Sequence, residues 1–225
     1  HPQALAGRVI EVGADLGLAF DGDADRLIAC DSDGTIIDGD NMLHICAMYL
    51  KQIGHLNHNL VVGTVMSNLG LDAVLQRGDI SLTRASVGDR YVLQEMLAHG
   101  AVLGGEQSGH CIFLNHSTTG DGMLTAVMLL KAMSQAGASL KQLATGLKRY
   151  PQVLINVPVR DNCQAMNNID VKEAIEKAET MLKGRGRILV RPSGTEAIVR
   201  VMVEAETEKL SGESAQVVVN ALNKL

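Results

Sequence analysis

The chain is 225 residues long, 46% apolar and 20% charged, with a formal net charge of −5. That length and apolar content fill one large core or two medium ones and exclude a disordered chain. The excess of acid, with Lys and Arg scattered through it and no basic stripe, excludes nucleic acid as a main partner.

In chain order, the first strong pattern is an apolar strand over 16–20, released into the loop Asp21-Gly22-Asp23-Ala24-Asp25-Arg26. A strand over 27–30 follows, then the turn Asp31-Ser32-Asp33-Gly34. A helix capped near Asp40 carries Met42, Leu43, Cys46, Tyr49, Leu50 and Ile53 on one face. Beyond it the pattern predicts a strand over 60–65, a helix over 69–76, a strand over 81–87, and a helix over 91–98 ended by Gly100. Short strands over 101–103 and 111–114 enclose a second polar loop, before a long helix over 122–136. This alternation predicts an α/β fold: a mixed, mostly parallel sheet with helices on both faces and ligand loops at strand C-terminal ends. Aromatics are only 2%, so the cores are aliphatic and Met-filled.

Tyr150 and Pro151 mark a boundary, after which the pattern restarts as a small α+β C-terminal domain. It opens with a strand over 153–159. The next helix has Asp170 as a cap with Glu173 as its box partner, a stripe of Val171, Ile175, Ala178 and Leu182, and Gly184 at its end. A strand pair and a final helix complete it. No run of 18 apolar residues is present, so no membrane span is expected. Cys30, Cys46, Cys111 and Cys163 lack paired or zinc-type spacing and read as thiols of a reducing, cytoplasmic compartment.

Three loops carry chemistry. Asp21, Asp23 and Asp25 alternate with small residues, so their carboxylates can converge on one hard cation. Gly104-Gly105-Glu106-Gln107-Ser108-Gly109-His110 presents Glu, Ser and His on a flexible backbone suited to a polyhydroxylated ligand. Arg191-Pro192-Ser193-Gly194-Thr195-Glu196, with Arg200 beyond, offers guanidinium forks, hydroxyls and turn N–H groups to a phosphate.

In this order and spacing the loops resemble those of the α-D-phosphohexomutase superfamily, over essentially the whole chain. Val87-Gly88-Asp89-Arg90-Tyr91-Val92 and the polar Gln107 are similar to its bacterial phosphoglucosamine mutase branch, with the phosphomannomutase/phosphoglucomutase branch as the alternative. The resemblance implies a 1–37 segment that ends domain 2 with the metal loop, a sugar-binding domain 3 over 38–148, and a phosphate-binding domain 4 over 149–225. It implies Mg²⁺ on Asp21, Asp23 and Asp25, and sugar hydroxyls on Glu106 and Ser108. Arg191, Ser193, Gly194, Thr195 and Arg200 would bind the non-reacting phosphate of a phosphosugar substrate. Arg26 is either a clamp on the transferred phosphoryl group or a surface charge neutralising three acids; His110 is either a proton shuttle or phosphate ligand, or a packing residue. Asp89 and Arg90 either line the sugar site or solvate a helix start.

The family's phosphorylated serine lies in a Ser-His-Asn-Pro type motif, and no Ser-His-Asn run occurs here. The chain therefore reads as a C-terminal fragment whose partners are the missing N-terminal domains, with room left for a homodimer, and which is inactive alone. Ala24 stands where the family has Gly, and Ala197 where Pro often follows. Ala is small enough at 24 unless the position needs a positive φ. A rival reading, a calcium module, fails because Arg26 and Ser32 occupy the Gly and Glu positions of an EF-hand loop counted from Asp21. A haloacid-dehalogenase-like phosphatase would leave the Arg191 loop unexplained, and no Walker A run exists.

Overall fold

The computed structural model describes residues 2–225. The chain divides into two compact units that meet in sequence between Lys148 and Arg149. In the first unit, α1 (Pro2–Val12), a helix the sequence pattern does not reveal, precedes β1 (Leu16–Phe20), β2 (Leu27–Asp31) and the short β3 (Ile36–Ile37). These strands form an antiparallel sheet in the order β1-β2-β3.

Then come α2 (Gly39–Gln52), β4 (Leu60–Thr64), α3 (Leu69–Arg77), β5 (Ser81–Ala85) and α4 (Asp89–His99). β6 (Leu103–Gly105), β7 (Cys111–Phe113), α5 (Gly122–Ala136) and α6 (Leu140–Ala144) close the unit. Strand order is β5-β4-β6-β7, with β4 parallel to both β5 and β6 and only β7 antiparallel.

Period-2 alternation explains why helices cover both faces. Val61 of β4 and Cys111 and Phe113 of β7 face a core shared with Met42, Leu43 and Cys46 of α2, Leu71 and Leu75 of α3 and Leu129 of α5. Their neighbours Val62 and Ile112 face the other way, onto Val92 and Met96 of α4.

The helix expected over 91–98 begins at Asp89 and the strand expected over 81–87 ends at Ala85, and three further boundaries differ for a visible reason. The cap of α2 is Asp38, whose side chain accepts from the Asn41 N–H, so Asp40 already lies in the first turn. β6 begins at Leu103 rather than 101, because the chain leaves α4 through left-handed Gly100 and spends two residues regaining the sheet. In the second unit the helix over Ile169–Leu182 is capped by Asn168, not Asp170: its side chain accepts from the Asp170 and Val171 N–H groups, placing the start two residues earlier.

The second unit contains β8 (Gln152–Pro158), α7 (Asn162–Asn167), α8 (Ile169–Leu182), β9 (Gly186–Pro192), β10 (Ile198–Ala205) and α9 (Glu208–Leu222). Its sheet is antiparallel, in the order β8-β10-β9. Val199, Val201 and Val203 of central β10 pack with Val171, Ala178 and Leu182 of α8 and Ala215, Val218 and Leu222 of α9. The opposite face of β10 therefore carries Arg200, Met202 and Glu204.

Candidate functional site

The acidic loop joins β1 to β2. Ala24 sits at its bend with φ 57°, and its N–H donates to the Asp21 carbonyl at 3.2 Å. The position thus does need a left-handed residue, and a side chain with Cβ costs about 1 kcal/mol there. Helix α5 anchors the loop, since the Gly122 N–H donates to the Ala24 carbonyl at 2.9 Å.

Asp21 turns toward Arg26, whose Nε lies 3.8 Å from Asp21 Oδ2 and whose backbone N–H donates to Oδ1 at 3.3 Å. Asp25 Oδ2 lies 3.6 Å from His110 Nε2. Among the described residues no three His, Cys, Asp or Glu side chains are gathered in a metal-holding cluster. By donor chemistry the loop still fits a hard divalent cation: three carboxylates around one left-handed turn form an all-oxygen set.

The second loop lies against the first. Gly109 has φ 94°, its carbonyl accepts from the Leu27 N–H at 3.1 Å, and a Cβ there would overlap the Leu27 carbonyl oxygen. On its other side the Gly39 N–H of α2 donates to the Gln107 carbonyl at 3.1 Å, an approach so close that a Cβ on Gly39 would overlap Glu106 O. The loop is therefore clamped between a strand start and a helix start.

From this clamped loop the Glu106 side chain reaches Gly88. Its Oε1 accepts from the Gly88 N–H at 2.8 Å and its Oε2 from Ser108 Oγ at 3.3 Å. Gln107 Nε2 donates to buried Asp40 Oδ2 at 3.3 Å, which fixes the amide against the top of α2. An open cleft of about 300 Å³ is lined by Thr64, Met66, Val87, Glu106, Gln107 and Ser108. A neighbouring cleft of about 320 Å³ is lined by Phe20, Asp21, Arg26, Ile28 and Ser108, among others, so Ser108 borders both. Thr64 and Met66 escape sequence reading; their only signal is position, at and just beyond the C-terminal end of a central parallel strand. Gly88 gives the 87–92 run a definite task, because its N–H holds the Glu106 carboxylate.

His110 is buried, lines neither cleft, and lays its ring over Gly120, where any Cβ would overlap it. Its Nε2 is directed at Asp25. Cys111 beside it is inert as a nucleophile: burial, and then the charges of Asp40, Asp38 and Glu106, push its thiol up to about 12. Cys30 and Cys46 are also buried, whereas Cys163 is exposed.

The third loop, in the second unit, connects β9 to β10. Arg191 and Arg200 are directly opposite each other across these strands, a like-charge pair that the sheet alone does not favour. Arg200 Nε is buried and meets no acceptor among the described residues, and its Nη2 lies 3.5 Å from Glu196 Oε2. Ser193 is buried and its N–H donates to the Ile198 carbonyl at 2.9 Å, closing the turn. Gly194 has open space around its Cα.

Comparison with known families settles the kinship. The description "Phosphoglucomutase/phosphomannomutase, alpha/beta/alpha domain III" matches residues 38–150, and the C-terminal domain of the same family matches residues 154–221. The chain belongs to the phosphohexomutase superfamily. Phosphoglucosamine mutase of Geobacillus kaustophilus is 56% identical over 209 residues, covering 93% of this chain and 46% of the relative. That of Shouchella clausii is 53% identical over 224 residues, covering 100% of this chain and 50% of the relative. The chain thus spans about half the length of these curated relatives.

Among solved structures, a phosphoglucomutase/phosphomannomutase family protein from Burkholderia thailandensis superposes with a TM-score of 0.75 at 23% identity, covering 100% of this chain and 50% of that one. An Aspergillus fumigatus N-acetylphosphoglucosamine mutase in complex with GlcNAc-6P and magnesium gives a TM-score of 0.73 at 18% identity, covering 91% of this chain and 51% of that one. At these identities the superpositions establish the phosphohexomutase fold. No helix among the described residues is long and apolar enough to cross a membrane.

Proposed function

We propose that the complete protein interconverts glucosamine 6-phosphate and glucosamine 1-phosphate, with this chain supplying the cation loop, the sugar loop and the phosphate loop. The observation that carries the reading is the opposed pair Arg191 and Arg200 with a buried, acceptorless Nε, on the phosphate-suited turn of a chain 51–56% identical to curated phosphoglucosamine mutases. Two arginines at opposed positions of neighbouring strands, on the same sheet face, favour a dianion between them.

Asp21, Asp23 and Asp25 would hold Mg²⁺, which when bound offsets negative charge on a transferring phosphoryl group. Arg26 lines a cleft with Asp21 and binds phosphoryl oxygens. Glu106, fixed by Gly88, accepts from sugar hydroxyls while Ser108 donates or accepts. His110 faces Asp25, with its Nε2 3.6 Å from Asp25 Oδ2. Arg191, Ser193, Gly194, Thr195 and Arg200 bind the phosphate that is not reacting, and that remote binding energy orients the sugar.

A phosphoryl donor is needed from outside these residues, so the chain alone turns over no substrate. In the complete protein, Asp23→Asn removes one carboxylate beside the phosphoryl group and is expected to lower kcat at least a hundredfold and to weaken Mg²⁺ dependence. Unchanged turnover and metal dependence would defeat the assignment.

A further inference from the structure

Asn162 is the first residue of α7, outside every loop assigned to ligand above. Its Nδ2 donates to two carbonyls of the 193–196 turn, Ser193 O at 2.9 Å and Glu196 O at 3.0 Å. One amide thus holds the two ends of the phosphate loop together. The helix start that carries it is itself fixed, because the Asp161 side chain accepts from the Cys163 and Gln164 N–H groups at 2.7 and 2.9 Å. Asn162 Oδ1 is buried and accepts from no group among the described residues, so this side chain is spent on its two donor bonds.

The consequence follows from peptide geometry. In a trans peptide unit the C=O and the next residue's N–H point in opposite directions, and no cis bond occurs among the described residues. Drawing the Ser193 and Glu196 carbonyls toward α7 therefore turns the Gly194 and Ala197 N–H groups away from it. Neither N–H donates to a protein group among the described residues. Two outward N–H groups beside the Arg191 and Arg200 pair form the kind of concavity that binds an anion.

We infer that Asn162 is a positioning residue: it never touches the ligand, and by gripping two carbonyls it aims the N–H groups of the 193–197 turn at a phosphate. This rests on the phosphate reading of that loop and adds to it the device that shapes it. Asn is required rather than tolerated, since a carboxylate of the same shape has no proton to give either carbonyl.

The test uses the 225-residue chain and inorganic phosphate, with affinity read from backbone amide shifts in titrations at constant ionic strength. Asn162→Asp and Asn162→Leu are expected to weaken phosphate binding about tenfold or more, while Asn162→Gln, which keeps the NH₂ group on a longer arm, recovers part of the loss. In the unmutated chain the Gly194 and Ala197 amides are expected to shift strongly on adding phosphate. That shift is the deciding measurement should the variants fail to fold. Phosphate bound with equal affinity by all four chains, or bound with those two amides unmoved, overturns the inference and leaves the phosphate loop standing. An unmutated chain that binds no phosphate removes both.

Discussion

Arg191→Gln separates a binding role from a structural one, because the two predict opposite changes in stability. Arg191 faces Arg200 directly across β9 and β10. Like charges so placed cost roughly 0.2–1 kcal/mol, so removing one stabilises the ligand-free unit by that amount. For a unit of this size one kcal/mol moves Tm by roughly 4–8 °C, giving a rise of about 1–8 °C.

Phosphate at a hundred times its Kd stabilises the unmutated unit by about 2.7 kcal/mol. The variant loses a charge-assisted contact of about 1.5–3 kcal/mol, so its affinity falls at least tenfold and its gain is at most about 1.4 kcal/mol. The ranking therefore reverses: the variant is the more stable chain without phosphate and the less stable with it. Thermal unfolding followed at the Val201 and Val203 NMR signals reads this unit alone, and chloride at equal ionic strength controls for salt. A variant destabilised in both conditions, or one that gains as much from phosphate as the unmutated chain, would refute the reasoning.

Two further predictions concern the first unit. Gly109→Ala places a Cβ against the Leu27 carbonyl at φ 94°, and is expected to destabilise this unit by roughly 2–4 kcal/mol in urea titrations; a loss under 0.5 kcal/mol would mean the two loops are not clamped together. His44 is buried, which together with the nearby Arg77 charge lowers its pKa from 6.5 to about 4. Between these values the unfolded chain takes up a proton that the folded chain refuses, so stability is full above pH 6.5 and falls by roughly 3 kcal/mol as the pH drops to 4. His44→Gln is expected to flatten that part of the pH profile, measured as amide protection in α2, and parallel profiles for the two chains would contradict it.

Much of the fold was legible because its signals are local. The apolar run 16–20 and the helix 122–136 recur in the structure with the same bounds, since an acidic loop and an Asp cap, Asp121, mark their ends. Caps were less legible where polar residues crowd together: Asp38 and Asp40, or Asn168 and Asp170, are equally good acceptors, and tertiary packing chooses between them. The three candidate loops stood out by residue type, yet the contacts that support them did not. Gly88 reaches Glu106 across 18 positions, Gln107 reaches Asp40 across 67, and Asn162 reaches Ser193 across 31. No sequence period encodes such contacts. The left-handed turn at Ala24 was only half legible, because the Gly that the family has there points to a positive φ while Ala itself does not.

The central claim is that these loops serve a phosphorylated amino sugar, and competing turnover by the complete protein tests it most directly. Given glucosamine 6-phosphate, glucose 6-phosphate and mannose 6-phosphate side by side, with Mg²⁺ and catalytic bisphosphate, the protein is expected to show its highest kcat/KM on the glucosamine phosphate. A higher kcat/KM on glucose or mannose phosphate, or no turnover of any of the three, would contradict the account.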